Sequence, residues 1–221
     1  MIEVKNVSKT IKGHPVLQDV SCHFESGKIY GIYGRNGSGK TMLMRCILGL
    51  IFSDSGTVNV DGKVIGKDID FPVSVGAIIE NPSFFSYATG YENLKLLADI
   101  RKVASEETIR NAIRRVGLDD TDKRAVSKYS LGMRQRLGIA QAIMESPDIL
   151  VLDEPTNALD EEGINLFYDI IQKEKARGAL VIMASHNKDD IETLADVKIK
   201  MSDGRIKEVL PVSTKRMEEE V

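Results

Sequence analysis

Apolar residues come in short, closely spaced runs through the first third of the chain: Ile2 to Val7, Val20 to Phe24, Lys28 to Tyr33, Gly56 to Val60 and Val75 to Ile79. Runs of this length bounded by turn formers predict β-strands, and Gly27, Gly56 and Gly62 supply the punctuation. The rhythm changes at Thr89, where Thr89-Gly90-Tyr91-Glu92 has capping-box spacing ahead of the helically spaced Leu94, Leu97 and Ile100. Ser105 opens a second helix that closes near Gly117, and a third helix, LGIAQAIMES, follows the stretch YSLGMRQR with Ser130 as its N-cap. Strands return at Ile149 to Leu152 and Ala179 to Met183. The amphipathic segment from about Glu161 to Arg177, with Gly178 behind it, predicts a helix between them.

Strands alternating with helices imply parallel pairing. The expected organisation is therefore one α/β domain, residues 1–80 and 138–221 forming its core and residues 81–137 an inserted helical lobe. The polar end, Ser213 to Val221 beyond Pro211, reads as a short helix or a frayed tail.

Composition narrows the function. A chain of 221 residues suits one large domain, at roughly 150 residues per domain. A net charge of −3 argues against a nucleic-acid or anionic-membrane surface. Apolar runs such as Ile149 to Leu152 fall far short of the ~20 residues that cross a bilayer, so no membrane span is expected. The start, MIEVKNVSKT, lacks a secretory apolar core, and neither Cys22 and Cys46 nor the three histidines cluster at metal-ligand spacing. The expectation is a cytosolic protein with free thiols, any metal arriving with a ligand.

The candidate chemistry begins at Gly34-Arg35-Asn36-Gly37-Ser38-Gly39-Lys40-Thr41. This stretch fits GxxxxGK[ST] between an apolar strand, IYGIY, and a helix that starts at Met42, MLMRCILGL. In such a P-loop the glycines let backbone N–H groups turn inward on phosphate oxygens, and the helix N-terminus adds positive potential. Lys40 reaches the β- and γ-phosphates, and Thr41 ligates Mg²⁺. A nucleoside triphosphate is the implied ligand.

Ile149-Leu150-Val151-Leu152-Asp153-Glu154 is an apolar strand ending in two acids, at the carboxyl edge where open α/β sheets bind ligands. Consecutive side chains diverge, so Asp153 can face the metal shell while Glu154 reaches a water aimed at the γ-phosphate as general base. His186 follows a second apolar strand, LVIMAS, and can sense or polarise the same phosphate; the plainer reading has Ser185 capping the helix NKDDIETLAD. Asn187-Lys188-Asp189-Asp190 also fits NKxD, a guanine-reading pattern, which keeps a GTPase as an alternative. The absence of a DxxG after a strand favours NKDD as the start of a helix.

The order GRNGSGKT, YSLGMRQR, ILVLDEPTNALD, SHNKDD resembles the ATP-binding cassette (ABC) ATPases over nearly the whole chain. The resemblance implies a P-loop core with a mainly parallel sheet, an N-terminal antiparallel β subdomain and a helical subdomain carrying the signature. It also implies a homodimer that sandwiches two ATP molecules head to tail. Ser130 and Gly132 of one copy would meet the γ-phosphate held by Lys40 of the other, and Ala158-Leu159-Asp160 would form the D-loop between the sites. Glu154 would be the base and His186 the switch histidine.

This sequence departs from the family pattern at several positions. Leu131 stands where a signature glycine is usual and Met133 where a glutamine is. Glu80, in VGAIIENP, replaces the glutamine normally offered to Mg²⁺; a carboxylate can ligate the metal but repels phosphate. Ile11 aligns with the aromatic that stacks on adenine, and Met42 with a second threonine, leaving apolar packing by Ile11 or Val16 to hold the base. Glu80 and SLGM together resemble the bacterial exporters and immunity pumps for bacitracin and lantibiotics.

Phe84, Phe85 and Tyr87 crowd behind Glu80 in a chain with six Phe, six Tyr and no Trp. At least one is expected in the core; by the family analogy the others line a groove for a cytoplasmic helix of an integral membrane permease. The expectation is an Mg-ATP hydrolysing transporter subunit at the inner face of the cell membrane. The alternatives are a soluble non-transport ABC ATPase and a regulatory or immunity module.

Overall fold

The computed structural model describes residues 1–212, so the helix or tail expected from Ser213 lies outside the described residues. Two sheets organise the chain. The first is antiparallel, in the order β2 (His14–Phe24), β1 (Ile2–Ile11), β4 (Ser55–Val60), β5 (Lys63–Val64). The second runs β10 (Arg205–Pro211), β9 (Val197–Ser202), β3 (Ile29–Tyr33), β8 (Leu180–Ala184), β7 (Ile149–Asp153), β6 (Val75–Ile78). From β9 to β6 every neighbouring pair in it is parallel; only the closing β10/β9 pair is antiparallel.

The parallel strands are apolar on both faces because both faces are covered. In β7, Ile149 and Val151 join a core shared with the antiparallel sheet and with α1 (Lys40–Ile47), while Leu150 and Leu152 face the opposite core. In β8, Leu180, Ile182 and Ala184 take the first side and Val181 and Met183 the second. The second core is roofed by α2 (Gly90–Arg101), α3 (Glu106–Arg115), α4 (Leu131–Ile143), α5 (Glu161–Ala176) and α6 (Lys188–Leu194).

Helix starts follow their capping chemistry. Thr89 and Glu92 form the reciprocal capping box, Ser105 caps α3, Ser130 caps α4 through the Met133 N–H, and Asp160 caps α5 through the Gly163 N–H. For α6 the expectation is corrected. Asn187, not Ser185, is the N-cap, accepting from the Asp189 N–H at 3.0 Å. Helices α2 to α4 sit in the chain between the paired strands β6 and β7, and α4 continues unbroken through the 137/138 division expected from the sequence. The β9/β10 hairpin adds two strands to those expected from the apolar runs.

Candidate active site

Sheet order explains why residues more than a hundred positions apart meet. β8 lies between β3 and β7, so the loops leaving the carboxyl ends of all three emerge side by side. The loops after β3 and β7 border a cleft of about 580 Å³, and the loop after β8 reaches it only through the contact of His186 with Glu154. Asn36, Gly37, Ser38, Gly39, Lys40, Thr41 and Met42 line it, with Glu80, Asp153 and Glu154 opposite.

The cleft is shaped for an anion. Gly39 occupies the N-cap of α1 at φ 103 with no side-chain cap, so the first N–H groups of the helix are left for a ligand. A Cβ at Gly39 would meet the Val16 carbonyl at 2.9 Å, so the position needs glycine on steric as well as conformational grounds. Lys40 is buried, its ammonium folded back onto the carbonyls of Gly34 at 2.8 Å and Arg35 at 3.4 Å. The buried Ser38 hydroxyl has no hydrogen-bond partner, as suits a group awaiting a phosphate oxygen.

Thr41 Oγ1 donates to Asp153 Oδ2 at 2.6 Å. These adjacent hard oxygen donors suit Mg²⁺. Burial raises the Asp153 pKa, and the charges of Glu154 and Glu80 push the same way against the Thr41 hydrogen bond and Lys40. One residue on, Glu154 takes a left-handed backbone, φ 49, which turns its carboxylate out of the strand. Its Oε2 accepts from the His186 backbone N–H at 3.2 Å and lies 2.7 Å from His186 Nδ1, a contact that puts a proton on Nδ1.

A model of the ABC transporter family matches residues 17–157. The chain is 52% identical over 206 residues, 93% of this chain and 94% of the relative, to an uncharacterized ABC transporter ATP-binding protein, YybJ, of Bacillus subtilis (strain 168). The chain belongs to the ABC transporter ATPases.

Against this ABC ATPase, the bacitracin transport ATP-binding protein BcrA of Enterococcus faecalis is 41% identical over 215 residues, 96% of this chain and 70% of the relative. The lantibiotic transport ATP-binding protein SrtF of Streptococcus pyogenes is 37% identical over 197 residues, 89% and 84% of the two chains. The expected branch is thus borne out. The fold matches the dimeric post-hydrolysis structure of the ATP-binding cassette MJ0796 bound to ADP and Pi, with a TM-score of 0.87, 21% identity, and 96% and 99% of the two chains covered.

In this ABC ATPase chain Ser130 and Gly132 are not among the residues that line the cleft. Ser130 and Gly132 border a separate cavity of about 460 Å³ with Met133, Arg136, Ala158 and Asp160. Arg136 donates to Asp160 Oδ1 at 2.8 Å. Glu80 sits at φ 59 and is paired with Arg45 of α1 at 2.7 Å, on side chains 62% and 30% exposed. A pair this wet contributes about 0–1 kcal/mol to stability, so its interest is the charge it supplies beside the cleft.

The structure also brings in residues that sequence reasoning passed over. Gln135, buried, reaches the cleft while donating to the Pro155 carbonyl at 2.8 Å, and Asn157 and Asn81 complete the rim. Val16 lines the cleft, whereas Ile11 stands 36% exposed and is not among its lining residues. The guanine-reading alternative loses its carboxylate, because Asp190 of NKDD is fully buried and Asn187 is spent on its own helix. Of the aromatics behind Glu80, Phe84 packs on the core while Phe85 and Tyr87 are exposed.

Proposed function

We infer that the chain works as a head-to-tail homodimer hydrolysing Mg-ATP and driving a separate integral membrane permease, in export of, or immunity to, a peptide antibiotic. The observation that carries the dimer is the division of the site. The phosphate cleft and the Ser130/Gly132 cavity are distinct in one chain, so a second copy would be needed to bring Ser130 and Gly132 to the phosphates. The dimeric MJ0796 structure and the transport names of BcrA and SrtF support the same reading.

In this reading the P-loop amides, Ser38 and Lys40 hold the ATP phosphates, and Ser130 with the Gly132 N–H of the second copy closes on the γ-phosphate. Thr41 and Asp153 would hold Mg²⁺, which supplies charge neutralisation at the phosphate oxygens. Glu80, also lining the cleft, would offer a further oxygen if released from Arg45. Glu154 accepts the proton of the attacking water as its oxygen bonds to the γ-phosphorus and the bond to the β–γ bridging oxygen breaks. His186 steadies Glu154 and the γ-phosphate. Asp160 belongs to the D-loop between the two sites.

Residues 81–137 act as the signature-bearing lobe inserted in the core of 1–80 and 138–221. A groove of about 400 Å³ beside Pro82, Phe84, Leu131 and Arg134 is suited to a cytoplasmic helix of the permease. Among the described residues no helix is long and apolar enough to cross a membrane, so the permease would hold the subunit at the inner membrane face.

Glu154→Gln tests the mechanism. It should lower hydrolysis by roughly 10²- to 10⁴-fold and trap a dimer with Mg-ATP on size exclusion. A monomeric variant with wild-type turnover would refute the base. For the permease, Arg134→Glu, in the groove, should weaken co-purification with the membrane partner while leaving nucleotide affinity intact.

A further inference from the structure

We propose that Asp190 is a positioning residue that sets the distance between the Glu154 and His186 turns. Its side chain is fully buried, where a carboxylate is costly unless its oxygens are hydrogen-bonded. Three hydroxyls from three different segments satisfy it: Thr156 Oγ1 donates to Oδ2 at 2.6 Å, Ser185 Oγ to the same oxygen at 2.9 Å, and the Tyr168 hydroxyl to Oδ1 at 2.6 Å.

Two of those donors lie next to the reacting groups. Thr156 is two residues beyond Glu154 and Ser185 immediately precedes His186. The turns also meet directly, through the Glu154 N–H donating to the Ala184 carbonyl at 2.9 Å and through the Glu154–His186 contact at 2.7 Å. The result is a closed ring: Glu154 through Pro155 to Thr156, across Oδ2 to Ser185, on to His186 and back to Glu154. Ser185 also accepts the Asn187 N–H at 3.0 Å, tying the ring to the start of α6. Tyr168, on α5, buttresses the carboxylate from outside and belongs to neither turn.

This role rests on the assignment of Glu154 as base and His186 as its partner. The test compares Ser185→Ala, Thr156→Val and Tyr168→Phe by turnover at saturating Mg-ATP, affinity for a fluorescent ATP analogue, and melting temperature. Displacing a reacting group by about 1 Å costs up to about 10²-fold in rate. Ser185→Ala and Thr156→Val should each lose roughly 10-fold or more in kcat with analogue affinity within about twofold of wild type. Tyr168→Phe should lower melting temperature with kcat nearly retained.

Asp190→Asn provides a rescue control, since the amide carbonyl can accept from Thr156 and Ser185 while the Tyr168 hydroxyl turns to accept from the NH₂. It should outperform Asp190→Ala in kcat by several-fold. Wild-type kcat in both Ser185→Ala and Thr156→Val would overturn the proposal, as would equal losses of kcat, affinity and stability in all three hydroxyl variants. If Glu154→Gln abolishes turnover while Ser185→Ala and Thr156→Val do not reduce it, only the role of Asp190 fails; if Glu154→Gln hydrolyses normally, the underlying assignment fails first.

Discussion

The phosphate cleft and the Ser130/Gly132 cavity each lie at the N-terminus of a helix, and differ in how far a single chain completes the site. At α1 the N-cap is a glycine without a side-chain cap, Lys40 is buried against the loop, and Thr41 is already bonded to Asp153. At α4 the N-cap is Ser130, whose hydroxyl is occupied by its own Met133 N–H at 3.1 Å, and Leu131 beside it is 61% exposed. The first site gathers residues from the loops after β3 and β7; the second is bordered by the start of α4 and by Ala158 and Asp160. On the proposed function, the difference teaches that folding preorganises phosphate binding, whereas hydrolysis would wait on a second copy.

Lys40→Ala should break the finished half. Removing the only ammonium that this cleft's lining residues provide should lower ATP turnover by roughly 10²-fold or more, as for loss of a preorganised electrostatic donor, with nucleotide affinity falling too. Retained nucleotide affinity in a titration would separate the loop from its lysine.

Gly132→Ala should break the open half. A Cβ there would stand 2.8 Å from the Ala158 carbonyl, a backbone atom with little room to yield. The expected cost is about 1–3 kcal/mol, with ATP-dependent dimerisation lost while monomeric nucleotide binding survives. Ser130→Ala is gentler: loss of the cap should cost about 1 kcal/mol, a fall of about 2–4 °C in melting temperature, and it too should weaken the ATP-bound dimer. An unchanged dimer in both variants would mean that this cavity is not where the second nucleotide docks.

Glu80→Gln sharpens the boundary between the halves. Removing a negative charge from the cleft rim should tighten metal-free ATP binding by roughly two- to fivefold. Loss of Mg-ATP affinity without change in EDTA would instead identify Glu80 as a metal ligand from the outset.

The smallest effect concerns Asp160, which lines the Ser130/Gly132 cavity and caps α5. The Asp160 pKa is lowered, first by its hydrogen bond from Arg136 and then by the Gly163 N–H. A carboxylate with a depressed folded-state value contributes stability at neutral pH that is lost as pH falls through that value, here below the ordinary 3.8. Melting temperature against pH should therefore decline less steeply below pH 3.8 in Asp160→Asn than in wild type.

Much of the fold could be read directly because the signals were local. Thr89 with Glu92, Ser105 and Ser130 announce their helices through bonds made within one turn. The β9/β10 hairpin had a local signal too: Val197, Ile199 and Met201 alternate with lysines ahead of Asp203-Gly204, a pattern that predicts a hairpin. Ser185 misled because a serine ahead of a helix suits a cap equally well, and only the buried Asp190 reveals where its hydroxyl goes. Gln135 and Arg45 carried no local signal, since each bonds a residue distant in the chain.

By itself the sequence determined the chemical inventory: a P-loop between strand and helix, an acid pair at a strand end, a histidine at another, and a capped helix after YSLGMRQR. These depend on residue type and spacing along one turn or one strand, which the chain encodes locally. Only the tertiary structure decided that β8 lies between β3 and β7, that Asp190 serves Thr156 and Ser185 instead of a nucleobase, that Glu80 answers to Arg45, and that Ser130 and Lys40 border different cavities. Those outcomes depend on which distant surfaces pack together, and burial, not spacing, selects the partner of each polar group.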